Sequence, residues 1–351
     1  MTASVVHALG HLAHEAAHPT PDAPTTPCHA GSADPACPIC HICHICHQSP
    51  TVLADRPDGT VVRHGRAVAK AHADGTDPAG HRARLAVAAH PRLAGILLPP
   101  LLTPTEEVYG RPVTAWPYGD PVDPVDPDAA PWEQAGTLIA RLHRVPPAAL
   151  TGPPPAPPTG PVPGGLPAMR GPAKAARALA RLSAAGPHPA AVPVRRAWER
   201  LPAWARGEAP QPGPYALCHG DLHLGQLVRH PAPDGPWVLI DVDDLGLGAP
   251  AWDLARPAAW YATGLLPPEP WQRFLGAYRA ARGPAVPADP AADPWPYLDV
   301  AARALTVQTA ALAVVKSLAE DRELDEVELL TIDACDRIAG LATELESKAS
   351  S

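Results

Sequence analysis

The chain has 351 residues, 46% of them apolar, which is enough for a substantial core or for two lobes. Aromatic residues make up only 5%, with a single Phe, so Ala, Leu and Val must fill most of that core, while 50 prolines point to stiff connections. A formal net charge of −8 with no long basic run argues against a nucleic-acid partner, which needs clustered Lys and Arg.

No segment reads as the roughly 20-residue apolar run that crosses a bilayer. The stretch 300–315 is interrupted by Arg303 and Gln308 and reads as a buried helix, so no membrane partner is expected. The first basic residue is Arg56, so the start lacks the charged region of a signal peptide. A cytoplasmic location is therefore expected. Stable disulfides are rare there, and the seven cysteines need another explanation.

Five of those cysteines fall within residues 1–48, together with eight of the 17 histidines. His7, His11, His14 and His18 recur at helical spacing. Cys37, Cys40, Cys43 and Cys46 follow three apart, interleaved with His41, His44 and His47. Thiolate and imidazole suit zinc and copper, and C-x-x-C lets two sulfurs reach one ion. The segment reads either as a metal-binding arm, with adventitious Zn²⁺ or Cu⁺ affinity, or as a disordered low-complexity extension.

Residues 49–115 read as a small β-rich lobe. Thr51–Ala54, Thr60–Arg63 and Arg66–His72 are strand candidates, the third carrying Lys70. A helix is expected over 78–90, and further strands at Ile96–Leu102 and Val113–Trp116. The turn at 116–119 reads as a hinge, with Trp116 and Tyr118 as candidate nucleotide contacts. Residues 120–347 read as a larger helical lobe. Its helices are expected at Trp132–Arg144, 172–185, 192–206, 251–263, 269–282, 294–319 and 324–347. Two short strands, Tyr215–Cys218 and Trp237–Asp241, bracket the motif region.

The informative stretch is ALCHGDLHLGQLV from Ala216, followed after nine residues by VLIDVDDLGLGAPAWDLA. A strand ending at Cys218 delivers His219-Gly220-Asp221 as a tight turn that exposes Asp221. Gln226 offers an amide oxygen five residues on, and a second strand ends at Asp241, with Asp243 close behind. Phosphoryl transfer is achieved by positioning and by charge neutralisation. One carboxylate must face the acceptor hydroxyl, hard oxygen ligands must hold Mg²⁺, and a lysine must meet the phosphates. The chain offers one candidate for each role.

HGDLHLGQ followed by IDVDDLGLGAPAWDLA resembles the paired signatures of the aminoglycoside phosphotransferase and choline kinase superfamily. The likeness covers roughly 51–347 in layout and is specific over 216–255. It implies an α+β, bilobal protein-kinase-like fold, and ATP, with GTP as the alternative, as the phosphate donor with Mg²⁺. By the same resemblance Asp221 is the catalytic base, Lys70 the nucleotide-phosphate lysine and Asp241 the main metal ligand. Gln226 stands where most members have Asn, and one of Asp243 and Asp244, with Asp243 the candidate, assists the metal. His219 supports the loop and Asp253 braces it. The implied reaction is transfer of the γ-phosphate to a hydroxyl of a small molecule, such as an aminoglycoside-like compound, another antibiotic or a sugar.

Kinase lysines usually pair with a Glu on the small-lobe helix, and the expected helix at 78–90 has no acid. Three other readings therefore stand beside the small-molecule kinase: a peptide side-chain kinase, a nucleotide-binding pseudokinase scaffold, and a metal-handling protein.

Overall fold

The computed structural model describes residues 2–17, 49–56, 59–150 and 166–341. Cys28 and the C-x-x-C run from Cys37 to Cys46, with their expected metal-ligand role, lie outside the described residues. The chain divides into two compact units. The first holds the residues up to Pro121 together with Val228–Ile240, and the second holds Val122–Leu227 and the residues from Asp241 onward.

The first unit is built on a five-stranded antiparallel sheet in the order β1-β2-β3-β5-β4. The strands are β1 (Thr51–Arg56), β2 (Gly59–His64), β3 (Ala67–His72), β4 (Leu102–Val108) and β5 (Arg111–Pro117). In β2 and β3 residues alternate between buried and half-buried, so Val62, Ala69 and Ala71 face the core. A helix α1 (Thr2–Ala17) supplies the other half of that core: Val5, Leu9 and Ala13 pack against Val62, Ala69, Ala71 and Val113. This corrects the assignment of all of 1–48 to an extension outside the fold. The spacing Val5, Leu9, Ala13, Ala16 is a helical apolar stripe, and the sheet gives it a surface to cover. His7 and His11 point outward on the opposite side.

The helix α2 (Pro78–Ala88) begins at an Asp77 N-cap, whose carboxylate accepts from Ala79 N at 3.1 Å and Gly80 N at 2.9 Å. The strand expected at Ile96–Leu102 is displaced to β4. Pro99 and Pro100 remove two ladder donors, and Leu97 keeps isolated bridges to Ala94 and Leu239. A small sheet, β6 (Asp120–Pro121), β8 (Leu227–Arg229) and β9 (Trp237–Leu239), completes this unit. The expected continuous helical lobe over 120–347 is thus interrupted, because Val228–Ile240 packs with the first unit: Leu98, Val228 and Val238 form one apolar cluster.

The second unit is helical: α3 (Trp132–His143), α4 (Gly171–Ala184), α5 (Ala191–Glu199), α6 (Ala251–Thr263), α7 (Pro268–Ala280), α8 (Trp295–Glu320) and α9 (Glu326–Gly340). One two-stranded antiparallel ribbon joins them, β7 (Ala216–Cys218) with β10 (Gly246–Gly248). α5 stops at Glu199, short of the expected 206, because Pro202 cannot continue it. α3 and α7 approach closely at Gly136, where a Cβ would lie 2.3 Å from the Phe274 carbonyl oxygen. The scarce aromatics are concentrated: Tyr261 stacks on Trp271 at 5.5 Å between ring centroids, and Trp295 lies 6.3 Å from each. α8 follows the expected helix at 294–319 to within one residue at each end. Its length and apolar composition alone would suffice for a membrane span, but 67% of its most apolar window is buried inside the fold.

Candidate active site

The site starts from the β7–β10 ribbon. Cys218 pairs with Gly246, and the chain then turns sharply through His219 and Gly220 to present Asp221. Gly220 has φ 86°, and a Cβ there would lie 2.4 Å from the Asp244 carbonyl oxygen, so only glycine fits. The turn is held from behind by Asp253 on α6. Its two carboxylate oxygens accept from His219 N at 2.6 Å and from Gly220 N at 2.7 Å. Asp253 is the residue for which the resemblance implies a bracing role, and His219 is fully buried beside it.

Two further residues extend the brace. His143, at the C-terminal end of α3, lies with Nε2 2.9 Å from Asp253 Oδ2 and Nδ1 2.8 Å from the Tyr278 hydroxyl. Burial is the largest influence and raises the Asp253 pKa, but the His143 hydrogen bond, the neighbouring imidazoles and the Gly220 N–H together outweigh it, so the carboxyl stays below the usual range and ionised. An ionised acceptor fixes the tautomer: Nε2 donates to Asp253, and Nδ1 accepts from Tyr278. The Tyr278 oxygen in turn accepts from Ala285 N at 2.9 Å. His143, Cys218 and Asp253 lie near enough for one ion. Both His143 nitrogens are committed, however, and burial pushes the Cys218 thiol far above its ordinary pKa. The cluster is a hydrogen-bonded brace. Sequence reasoning missed His143 and Tyr278; the buried face of α3 was visible, but not its distant partners.

The Asp221 carboxylate meets two cations. Lys174 Nζ on α4 lies 2.8 Å from Oδ2, and Arg256 Nη2 on α6 donates to Oδ1 at 2.7 Å. Lys174 also donates to Asp244 Oδ2 at 2.7 Å, and Arg170 lies 3.4 Å from Asp244 Oδ1. Burial alone would raise the Asp221 pKa, but Lys174 and then Arg256 more than reverse this and hold the carboxyl well below the usual range. A cavity opens against this carboxylate, lined by Gly171, Lys174, Trp252, Arg256, Leu305 and Gln308.

Gln226 is buried in a single 3₁₀ turn, Leu224–Gln226, capped by His223, whose Nδ1 accepts from Gly225 N at 3.1 Å. Burial and then Arg256 push the His223 pKa down to about 4, as a neutral, accepting ring requires. Asp241 has φ 62°, a left-handed conformation for a non-glycine residue, which marks stored strain of the kind found at working sites. Its Oδ1 accepts from Asp243 N at 3.5 Å.

In the first unit Lys70 lies in the middle of β3, paired with Val61 and Thr114, its side chain running past Gly59. Trp116 is buried, and its Nε1 donates to Thr114 Oγ1 at 2.8 Å. The Tyr118 ring lies under the Arg63 guanidinium at 3.4 Å, and its N–H donates to the Arg66 carbonyl at 2.7 Å. Both candidate hinge side chains are thus engaged in this unit's own packing. α2 carries buried His81 and Arg84 and no acid, as expected, and Asp77 is used as its N-cap.

A β-sheet unit joined to a helical one, with a strand-borne lysine and a braced turn carboxylate, defines a kinase-like phosphotransferase architecture. The model of the Phosphotransferase enzyme family matches residues 58–295, more than half of the chain, and the chain belongs to that family. No curated protein matches it in sequence. Among solved structures it is similar to a thermostable mutant of aminoglycoside phosphotransferase APH(4)-Ia, with TM-score 0.54, 15% identity, and coverage of 87% of this chain and 96% of that one. It is also similar to a choline/ethanolamine kinase family protein from Mesorhizobium loti, with TM-score 0.50, 15% identity and coverage of 87% and 94%. Spectinomycin phosphotransferase APH(9)-Ia, solved with ADP and spectinomycin, gives TM-score 0.51 at 13% identity over 85% and 94%. At these identities the likeness defines the fold.

Proposed function

We propose that the protein transfers the γ-phosphate of ATP to a hydroxyl of a small molecule, with Asp221 as the residue that orients and deprotonates it. The supporting observation is the Asp221 carboxylate itself. It sits at the tip of a turn fixed by two backbone hydrogen bonds to Asp253, and it borders a small cavity. In the reaction the acceptor oxygen forms a bond to Pγ. The bond from Pγ to the bridging oxygen breaks with its electron pair leaving on ADP, and the hydroxyl proton passes to Asp221. Lys174 and Arg256 weaken Asp221 as a base, which suits a loose transition state in which the proton is lost late. Aligning the hydroxyl then matters more than basicity.

Asp241, Gln226 and Asp243 are a set of hard oxygen donors, the chemistry Mg²⁺ requires, and the strained backbone of Asp241 fits a ligand role. They are the residues that would hold the ion, which neutralises phosphate charge when bound. Lys70 is the proposed phosphate ligand of the first unit.

A second reading is supported by α2, which carries buried His81 and Arg84 and no acidic residue: on it the chain binds nucleotide as a scaffold without turnover. Asp221→Asn separates the two. It keeps the shape and removes the proton acceptor, so turnover should fall by about 10²–10⁴-fold while Mg-ATP affinity holds. Phosphate release with sugars, amino sugars and peptides as acceptors measures the first quantity, and calorimetry the second. Wild-type turnover in Asp221→Asn refutes the assignment, whereas nucleotide binding without any turnover in wild type favours the scaffold.

A further inference from the structure

We propose that the acceptor carries an anionic group, a carboxylate or a phosphate, read by a cationic face of α4 that runs from the Asp221 cavity. This rests on the phosphotransferase reading and narrows its acceptor. α4 has the sequence GPAKAARALARLSA, with no acidic residue. Arg170 just before it, then Lys174, Arg177 and Arg181, recur at intervals of four, three and four, which places them along one face. Lys174 lines the cavity, and Arg256 faces it from α6.

Around the Asp221 carboxylate, Arg170, Lys174 and Arg256 face two acids, Asp221 and Asp244. The remaining cations of the face extend outward: Arg177 and Arg181 are exposed, and no carboxylate lies within salt-bridge distance of either among the described residues. Like charges crowd one another here. After burial, Arg170 is the largest influence depressing the Arg177 pKa. A surface that repels its own cations attracts an anion and disfavours an ammonium group.

Three acids near the C-terminus, Glu320, Asp325 and Glu328, which could otherwise hold a cationic acceptor, are engaged within the fold. Arg322 donates to both carboxylate oxygens of Glu328 at 2.7 Å and to Glu320 at 2.8 Å. Glu328 closes a capping box with Asp325 at the start of α9. The net charge of −8 therefore does not describe the cavity, whose lining sets Lys174 and Arg256 against Asp221.

The test uses the full chain loaded with Mg²⁺ and a non-hydrolysable ATP analogue, titrated in a calorimeter with four sugars of the gluco configuration that differ in charge. These are glucose, glucosamine, glucuronate and glucose 6-phosphate. At least one of the two acids should bind tenfold or more tightly than glucose, glucosamine should bind most weakly, and the preference should shrink as salt rises. The double variant Arg177→Glu/Arg181→Glu should lose that tenfold advantage and keep its affinity for the ATP analogue. The inference is overturned if neither acid binds better than glucose, if glucosamine is preferred, or if the charge-reversed variant retains the preference. Nucleotide loading, read before any sugar is added, tests the phosphotransferase reading separately: a loaded chain without anion preference sinks only the narrower claim, and a chain that loads no nucleotide sinks both.

Discussion

Asp253 shows how much one buried side chain can organise. It accepts from two backbone N–H groups of the turn and from His143, and it is wholly buried. Removing one hydrogen-bond donor from such a buried ionised group costs about 1.5–3 kcal/mol, because burial denies the carboxylate a replacement. His143→Leu should therefore lower stability by about that amount in denaturant unfolding, and reduce turnover through a loosened turn. The sign of the pH dependence follows from the lowered Asp253 pKa. A depressed carboxylate contributes stability that is complete above its unfolded value, about 3.9, and is lost as pH falls through the lower folded value. Wild type should thus outlast Asp253→Asn at neutral pH, and the gap should close as the pH is taken below about 4. A gap that stays constant from pH 7 to pH 2.5 would show that Asp253 acts through shape alone.

Among the elements, α1 carries the least expected consequence. Leu9 is fully buried between Val62, Ala69 and Ala71 of the sheet, so the helix closes that core and does not decorate it. Leu9→Ala removes buried methyl groups and leaves a cavity, at about 2–5 kcal/mol. His7→Ala, on the outward side, should change stability by less than about 0.5 kcal/mol. Thermal unfolding of the two variants separates a structural helix from a dispensable one. The stripe that buries α1 was legible, since Val5, Leu9, Ala13 and Ala16 have helical spacing. Its destination was not, because the neighbouring Cys/His-rich composition dominated the reading of 1–48. The helices α6, α7 and α8 were read within one or two residues, because each has a proline at or near its start and a long run of helix-forming residues behind it.

For the whole molecule the informative measurement is stabilisation by ligand. A ligand that binds the native state alone adds about 2.7 kcal/mol at a hundred times its dissociation constant. Mg-ATP should raise the melting temperature of wild type accordingly. Asp241→Ala should abolish most of the shift and Gln226→Ala only part of it, since a carboxylate brings full charge to Mg²⁺ and an amide only a dipole. Equal shifts in wild type and Asp241→Ala would remove Asp241 from the metal site. The sequence by itself determined the motif: a strand, the His219-Gly220-Asp221 turn, a second strand ending near Asp241, and Asp253 in the following helix. These features are local, with residue type and spacing fixed by turn geometry and strand length. Only the tertiary structure supplied Lys174 and Arg256 to Asp221, His143 and Tyr278 to Asp253, and a sheet to α1. Those partners come from separate helices, as far as 110 positions away in the chain for His143 and Asp253. Which side chains meet across that distance is decided by how the helices pack, and no spacing within any one helix encodes it.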